Sequence, residues 1–253
     1  MTWWGRAVSY LFSTFFGAGL AGGAAAAFSP SDIAGLVGWW DFSDATTLFQ
    51  LSNGTTAVTA DTDPIGYATD KSGTGTHIVQ VTAGLRPTYR TNVKNSRAVA
   101  RFDGADDFLA AALVQAQPFT AFIVCRFVAN GAPVIAMAGT SSSECAIYYN
   151  NGGQLRTYAG TEQNIEAEDT NYRVVAITMN GASSVARLNA VNKALAGSPG
   201  ANTLTNISIG AYQSGASPSQ IDVGEALIYD GAVSGANVAL VETYLNGRWA
   251  VYV

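Results

Sequence analysis

The sequence predicts an all-β fold, a two-sheet antiparallel jelly-roll sandwich with an apolar N-terminal segment and one short C-terminal helix. Three observations carry this. Only 12% of the residues are charged while glycine numbers 27, and threonine, serine and asparagine are plentiful, a composition suited to short strands and turns rather than long helices. Residues 119–128 are apolar on both alternation faces: Phe119, Ala121, Ile123, Cys125 and Phe127 form one row, and Thr120, Phe122, Val124, Arg126 and Val128 the other. Such a strand must be covered on both sides, as at the centre of a packed sandwich. Helical spacing comes at the end, where Val238, Val241, Leu245 and Trp249, with Tyr244 and Tyr252 alongside, follow a good N-cap at Ser234. A chain of 253 residues is long enough to bury one full sandwich core.

In chain order, residues 1–28 stand apart. There is no charge over residues 7–27, and Trp3, Trp4, Tyr10, Leu11, Phe12, Phe15, Phe16 and Leu20 precede a run of glycine and alanine. Three readings compete: a secretory signal peptide, a membrane span weakened by Gly17, Gly19, Gly22 and Gly23, and an anchor buried in a partner protein. The anchor is the preferred expectation, with those eight residues as its contacts. Residues 29–35 read as a linker with Pro30 as a breaker, and the main domain spans residues 36–253.

Residues 36–42 are the first strand, in which Trp39 and Trp40 point to opposite faces, one into the core and the other under an edge loop. Ser43 or Asp44 can cap one helical turn. Residues 51–76 are rich in turn chemistry and read as a long loop excursion. Residues 77–82 resume a strand and residues 86–89 are extended. Residues 98–103 and 107–111 are joined by Gly104, Ala105 and Asp106 in what reads as a tight hairpin. Residues 133–139, 144–150 and 154–160 form a meander. Residues 172–179 are a second two-sided apolar strand, which Asn180 and Gly181 turn into residues 183–189. Residues 206–212 and 221–229 complete the strands.

Several phrases together resemble a known family. Gly38-Trp-Trp-Asp-Phe-Ser-Asp44 leading into Thr47-Leu-Phe-Gln50, then Asp70-Lys-Ser-Gly73, Arg86-Pro-Thr-Tyr89, Phe102-Asp-Gly-Ala-Asp-Asp-Phe-Leu109, Ile209-Gly-Ala211, Gly224-Glu-Ala-Leu-Ile-Tyr-Asp230 and Val241-Glu-Thr-Tyr-Leu245 through Trp249 are similar, in this order, to concanavalin A-like (laminin-G-like) jelly-roll domains of the kind found in bacteriophage virion proteins. The resemblance covers residues 33–253. It implies a sandwich of about a dozen strands, in agreement with the strands already read. It says less about activity, because the fold hosts lectins, glycosidases, adhesion modules and scaffolds.

With a net charge of −5, a polyanion would have to be held against the protein's own field, so no nucleic-acid partner is expected. His77 is the lone histidine, which excludes a histidine-rich zinc site. Cys125 and Cys145 sit in apolar runs and read as small hydrophobes. Glycoside hydrolysis needs two carboxyl groups about 5–10 Å apart. The E-x-D-x-x-E strand of the related jelly-roll glucanases is missing, and Glu166-Ala-Glu168-Asp169 reads as a polar connection, so the expectation is a chain that is not an enzyme.

No cofactor is expected apart from calcium, for which Asp103, Asp106 and Asp107 are the metal candidates; the competing reading is that these carboxylates bond turn amides. Carbohydrate binding would use Tyr148, Tyr149, Asn150, Tyr158 and Tyr212, against the alternative that strand tyrosines merely cover a sheet face. The functional expectation is a structural virion protein of a phage or phage-like particle, in the tail, baseplate or a capsid fibre or decoration. Its residues 1–28 would dock into other virion proteins, its jelly roll would face outward toward host glycans, and the apolar segment would favour a homo-oligomer. The alternative is an exported bacterial surface or periplasmic carbohydrate-binding adhesin.

Overall fold

A computed structural model describes residues 27–128, 134–141, 144–213 and 215–253. The anchoring candidates Trp3, Trp4, Tyr10, Leu11, Phe12, Phe15, Phe16 and Leu20 lie outside the described residues. The strands are β1 (Leu36–Asp41), β2 (Leu48–Phe49), β3 (Tyr67–Ala68), β4 (Ile78–Val79), β5 (Thr88–Lys94), β6 (Arg97–Asp103), β7 (Leu109–Gln115), β8 (Phe119–Phe127) and β9 (Val134–Ala138). They continue as β10 (Ala146–Asn151), β11 (Gln154–Tyr158), β12 (Glu162–Ala167), β13 (Arg173–Met179), β14 (Val185–Leu188), β15 (Val191–Lys193), β16 (Leu204–Ile209) and β17 (Gln220–Asp230), before the helix α1 (Gly235–Trp249).

Two antiparallel sheets form the sandwich. One has eight strands in the order β15-β14-β13-β8-β17-β6-β5, with β1 also paired to β17; the other has nine, in the order β12-β11-β10-β9-β16-β7-β4-β3-β2. The all-β, two-sheet architecture and its closing helix are as the sequence predicts. No helix among the described residues is long and apolar enough to cross a membrane.

β8 lies between β13 and β17, and its two apolar rows go to two different cores. Phe119, Ala121, Ile123, Cys125 and Phe127 face the nine-stranded sheet in the main core. Phe122 and Val124 face outward into a second core, closed by Val238, Val241, Leu245 and Trp249 of α1. The helix therefore covers the outer face of the eight-stranded sheet, and its 3-4-4 spacing is the imprint of that contact. Ser234 caps it, its hydroxyl accepting from Asn237 N at 3.3 Å.

β17 runs past two partners, pairing with β6 through Val223 and with β1 from Glu225 onward. The register shifts between those two residues. Gly224 occupies the shift, where a Cβ would lie 2.6 Å from the Trp249 ring; no larger residue fits that approach.

The structure corrects several expectations. β6 and β7 are not a hairpin: they belong to opposite sheets. Phe102 and Leu109 consequently enter the main core from opposite sides, which a hairpin within one sheet would not allow. Trp40 is in the main core, but Trp39 packs beneath α1, edge-on to Tyr244 with centroids 6.3 Å apart, rather than under an edge loop. The run Glu166-Ala-Glu168-Asp169 is not simply a polar connection, because Glu166 and Ala167 close strand β12, Glu162–Ala167. The inward positions of β12 are Gln163 and Ile165, and Gln163 satisfies its amide with Ser198 O and Gly197 N, so the strand lacks a strong apolar row.

Residues expected as a linker lie against the sandwich. Pro30–Asp32 is a 3-10 turn closed by a capping box from Ser29, Ile33 is buried in the second core, and Tyr229 donates its hydroxyl to Pro30 O at 2.9 Å. Cys125 and Cys145 are free and buried.

Candidate functional site

β9, β10, β11 and β12 are consecutive neighbours at one end of the nine-stranded sheet, and their outward side chains form two cross-strand rows. Ile135, Tyr149 and Arg156 stand opposite one another in the first, and Ala138, Ala146, Tyr158 and Glu162 in the second. Adjacent strands place directly opposed side chains within contact, so these rows meet as one surface. Residues 212–213 and 215–217 lie over it, where Gly215 N donates to Tyr212 O at 2.8 Å and Tyr212 N to Ala216 O at 3.0 Å. Between sheet and loop lies a groove of about 340 Å³, lined by Ile135, Tyr149, Asn151, Tyr158, Glu162, Tyr212 and Ser217.

Its floor is apolar and its edge is polar. Ile135, Ala138, Ala146, Tyr149 and Tyr212 form a small buried cluster on this outer face, with Tyr158 partly buried against it. Glu162 organises the edge: its Oε1 accepts from the Tyr149 hydroxyl at 2.7 Å and from Asn151 Nδ2 at 3.2 Å, and its Oε2 pairs with Arg156 Nη1. Burial acts to raise the Glu162 carboxyl, but the Tyr149 and Asn151 hydrogen bonds and the Arg156 charge outweigh it and hold the group below its ordinary value. Burial pushes the Tyr212 phenol up to about 12, and burial together with the Glu162 bond raises Tyr149 as well. Both phenols therefore stay protonated donors at neutral pH. Aromatic faces beside a hydrogen-bonded carboxylate and amide can hold a ring whose faces carry C–H groups and whose rim carries hydroxyls.

Of the five residues expected to contact sugar, Tyr149, Tyr158 and Tyr212 come together here. Tyr148 and Asn150 do not. The register of β10 shifts between Ala146 and Tyr149, and this bulge sends Ile147 and Tyr148 together into the main core, where Tyr148 lies 5.7 Å from Phe127 between ring centroids. Asn150 is fully buried and donates to Glu168. Glu162, Asn151, Ile135 and Ser217 went unread in the sequence; the available signal was Glu162 four residues beyond Tyr158 across a Gly160 turn.

The acidic turn does assemble. Carboxylate oxygens of Asp103, Asp106 and Asp107 lie within 4.8 Å of one another, an all-oxygen set of the kind a hard divalent cation takes. Asp103 Oδ1 accepts from Ala105 N at 2.7 Å and Asp107 Oδ2 from Asp103 N at 3.0 Å, so the turn amides already use part of it. Burial, with the neighbouring carboxylates, pushes the Asp107 carboxyl up to about 7. His77 makes a structural contact, its Nδ1 accepting from Asp70 N at 3.1 Å.

No protein-family model matches the chain, and no curated protein sequence matches it. Solved structures do. The chain is similar to the binding domain of Paraclostridial Mosquitocidal Protein 1 (TM-score 0.58, 13% identity, 86% of this chain and 53% of that one). It is also similar to Trypanosoma rangeli sialidase (0.55, 11%, 85% and 33%) and to domain 4 of AbnA, a GH43 extracellular arabinanase from Geobacillus stearothermophilus solved with arabinotriose (0.53, 13%, 81% and 97%). What they share with it is a β-sandwich. That fold is compatible with the concanavalin A-like resemblance. The chain spans about a third of the sialidase and about half of the mosquitocidal chain, whereas it covers nearly all of the arabinanase domain. The expectation that the chain is not an enzyme is corrected here: its structural neighbours include a sialidase and a domain of an arabinanase, so this fold occurs in the chains of glycosidases.

Proposed function

We propose that the chain is a carbohydrate-binding β-sandwich module that holds a neutral saccharide in the groove between β9–β12 and the pair Tyr212 and Ser217. The observation that carries this reading is the convergence of Tyr149, Tyr158 and Tyr212 around the Glu162 and Asn151 polar edge. The likeness to an arabinanase domain solved with arabinotriose supports it at the level of the whole domain. A glycan array that includes arabino-oligosaccharides tests it: retention of at least one neutral glycan is expected, and a folded protein that retains none overturns the proposal.

Display on a phage or phage-like particle, with residues 1–28 docked into other virion proteins and several copies assembled together, is the setting proposed for this module. It rests on the ordered sequence phrases and on the aromatic-rich N-terminal segment, uncharged over residues 7–27. Deleting residues 1–28 should abolish incorporation into particles while leaving glycan binding intact; a truncated chain that still incorporates contradicts this setting.

A further inference from the structure

We infer that a second cavity, on the opposite side of the sandwich from the tyrosine groove, takes the carboxylate or sulfate group of an acidic saccharide. The cavity measures about 450 Å³ and lies where residues 169–172 approach the ends of β5 and β8 and the chain leaving α1; Lys94, Arg126, Asn171, Tyr172, Arg173 and Asn189 are among its walls.

Its charge is unbalanced in a definite way. Asp222 is fully buried, and its carboxylate receives Arg101 Nε at 2.6 Å and Nη2 at 2.9 Å, Arg126 Nε at 2.8 Å and the Tyr172 hydroxyl at 3.1 Å. Two guanidinium groups thus share one carboxylate, which leaves one positive charge uncompensated. Lys94 adds a second. It belongs to no ion pair among the described residues, and its Nζ stands 5.7 Å from the Tyr172 ring centroid, with Arg126 Cζ 5.1 Å from the same ring. Arg173 adds nothing to this excess, because it and Lys193 together offset Glu166 and Asp169: the Arg173 guanidinium pairs with both carboxylates, and Lys193 Nζ pairs with Glu166. Asp169 also accepts from Asn171 N and Nδ2, at 3.0 and 2.7 Å, so both oxygens of the carboxylate in the cavity wall already have partners.

Uncompensated cations held in place by a buried carboxylate and an aromatic ring are preorganised for an anion. In a chain of net charge −5 their concentration at one cavity runs against the general field, and two excess charges are too few to track a polyanion's backbone. The volume exceeds what a bare oxyanion fills, and the exposed Thr170 and Asn171 at the mouth offer hydroxyl and amide partners to a hydrophilic ligand, not an apolar one. An anionic sugar meets all of these conditions. The inference does not depend on the tyrosine groove, since no residue lines both cavities.

Isothermal titration of the full chain with a uronic-acid trisaccharide and a sulfated disaccharide tests it, with the neutral parent sugars and inorganic sulfate as controls. At least one acidic sugar should bind more tightly than its neutral parent and than sulfate, and more weakly as salt is raised. Lys94→Gln, which breaks no ion pair, should weaken that binding about tenfold or more at unchanged melting temperature. Tyr158→Ala should leave it unchanged, which separates this cavity from the groove. Equal affinity for the acidic sugar and its neutral parent, sulfate binding as tight as the saccharide, or an unaffected Lys94→Gln variant each overturns the inference.

Discussion

Tyr158→Ala is the substitution that best separates binding from folding in the groove. Tyr158 sits opposite Ala146 on β10 and Glu162 on β12, and its ring is only partly buried. Tyr149 and Tyr212 are 6% and 7% exposed and belong to the packed floor. Removing the Tyr158 ring thus opens one wall without leaving a closed cavity, whereas Tyr149→Ala would also strip the floor and the Glu162 hydrogen bond. Stacking on one aromatic face is worth about 1–2 kcal/mol, so affinity for the array-selected glycan should fall about 5- to 30-fold. The melting temperature should fall by no more than about 3 °C, the shift that roughly 1 kcal/mol produces in a domain of this size. Titration calorimetry and thermal unfolding on the same preparation read both quantities. An unchanged affinity at an unchanged melting temperature refutes the role given to this wall.

Four further outcomes follow from the structure. The Asp107 carboxyl titrates at about 7 in the folded state against an ordinary 3.8, so the native state binds more protons than the unfolded chain between those values and stability is lost as pH rises through them. Asp107→Asn should therefore be stabilising by about 1–3 kcal/mol at pH 8 and close to neutral near pH 4; equal effects at both pH values contradict this. If the turn takes calcium, the ion should raise the wild-type melting temperature at pH 8 and not that of Asp107→Asn, and no rise ends that expectation. Glu225→Ala removes the acceptor of Trp39 Nε1 at 2.8 Å, Trp249 Nε1 at 3.0 Å, the Tyr244 hydroxyl and Arg248 Nε, both at 3.1 Å. Leaving these donors buried should cost about 3–5 kcal/mol, read as a melting temperature lower by roughly 10 °C; a loss under about 2 °C would show that this cluster does not hold α1 to the sheet. Gly224→Ala should cost about 1–3 kcal/mol by overpacking and shift tryptophan emission, and an unchanged spectrum and stability would contradict the close approach to Trp249.

The fold was legible where periodicity is strong. β8 and β13 carry apolar residues on both faces because each is covered by the opposite sheet and by α1, and the helix spacing records the same contact from the other side. Elements with weak patterns were not legible: β2, β3 and β15 are two or three residues long, β4 is only the Ile78–Val79 part of the strand read over residues 77–82, and β12 uses Gln163 where an apolar residue would have marked its inward face. The site was half legible. Aromatic content pointed to Tyr149, Tyr158 and Tyr212, but which tyrosines face outward depends on a bulge in β10, and a one-residue change of register exchanges the two faces of a strand. Tyr148 and Asn150 were lost to the interior for that reason. Which sheet follows the acidic turn is a long-range matter, since Phe102 and Leu109 meet only once the sheets have packed.

The central claim is that saccharide binds in the groove at β9–β12, and amide chemical-shift mapping during titration with the array-selected glycan tests it most directly. The shifts should concentrate on Tyr149, Asn151, Tyr158, Glu162 and Ser217 and saturate with the affinity measured by calorimetry. Shifts centred on the eight-stranded sheet, or none at a saturating glycan concentration, would contradict it.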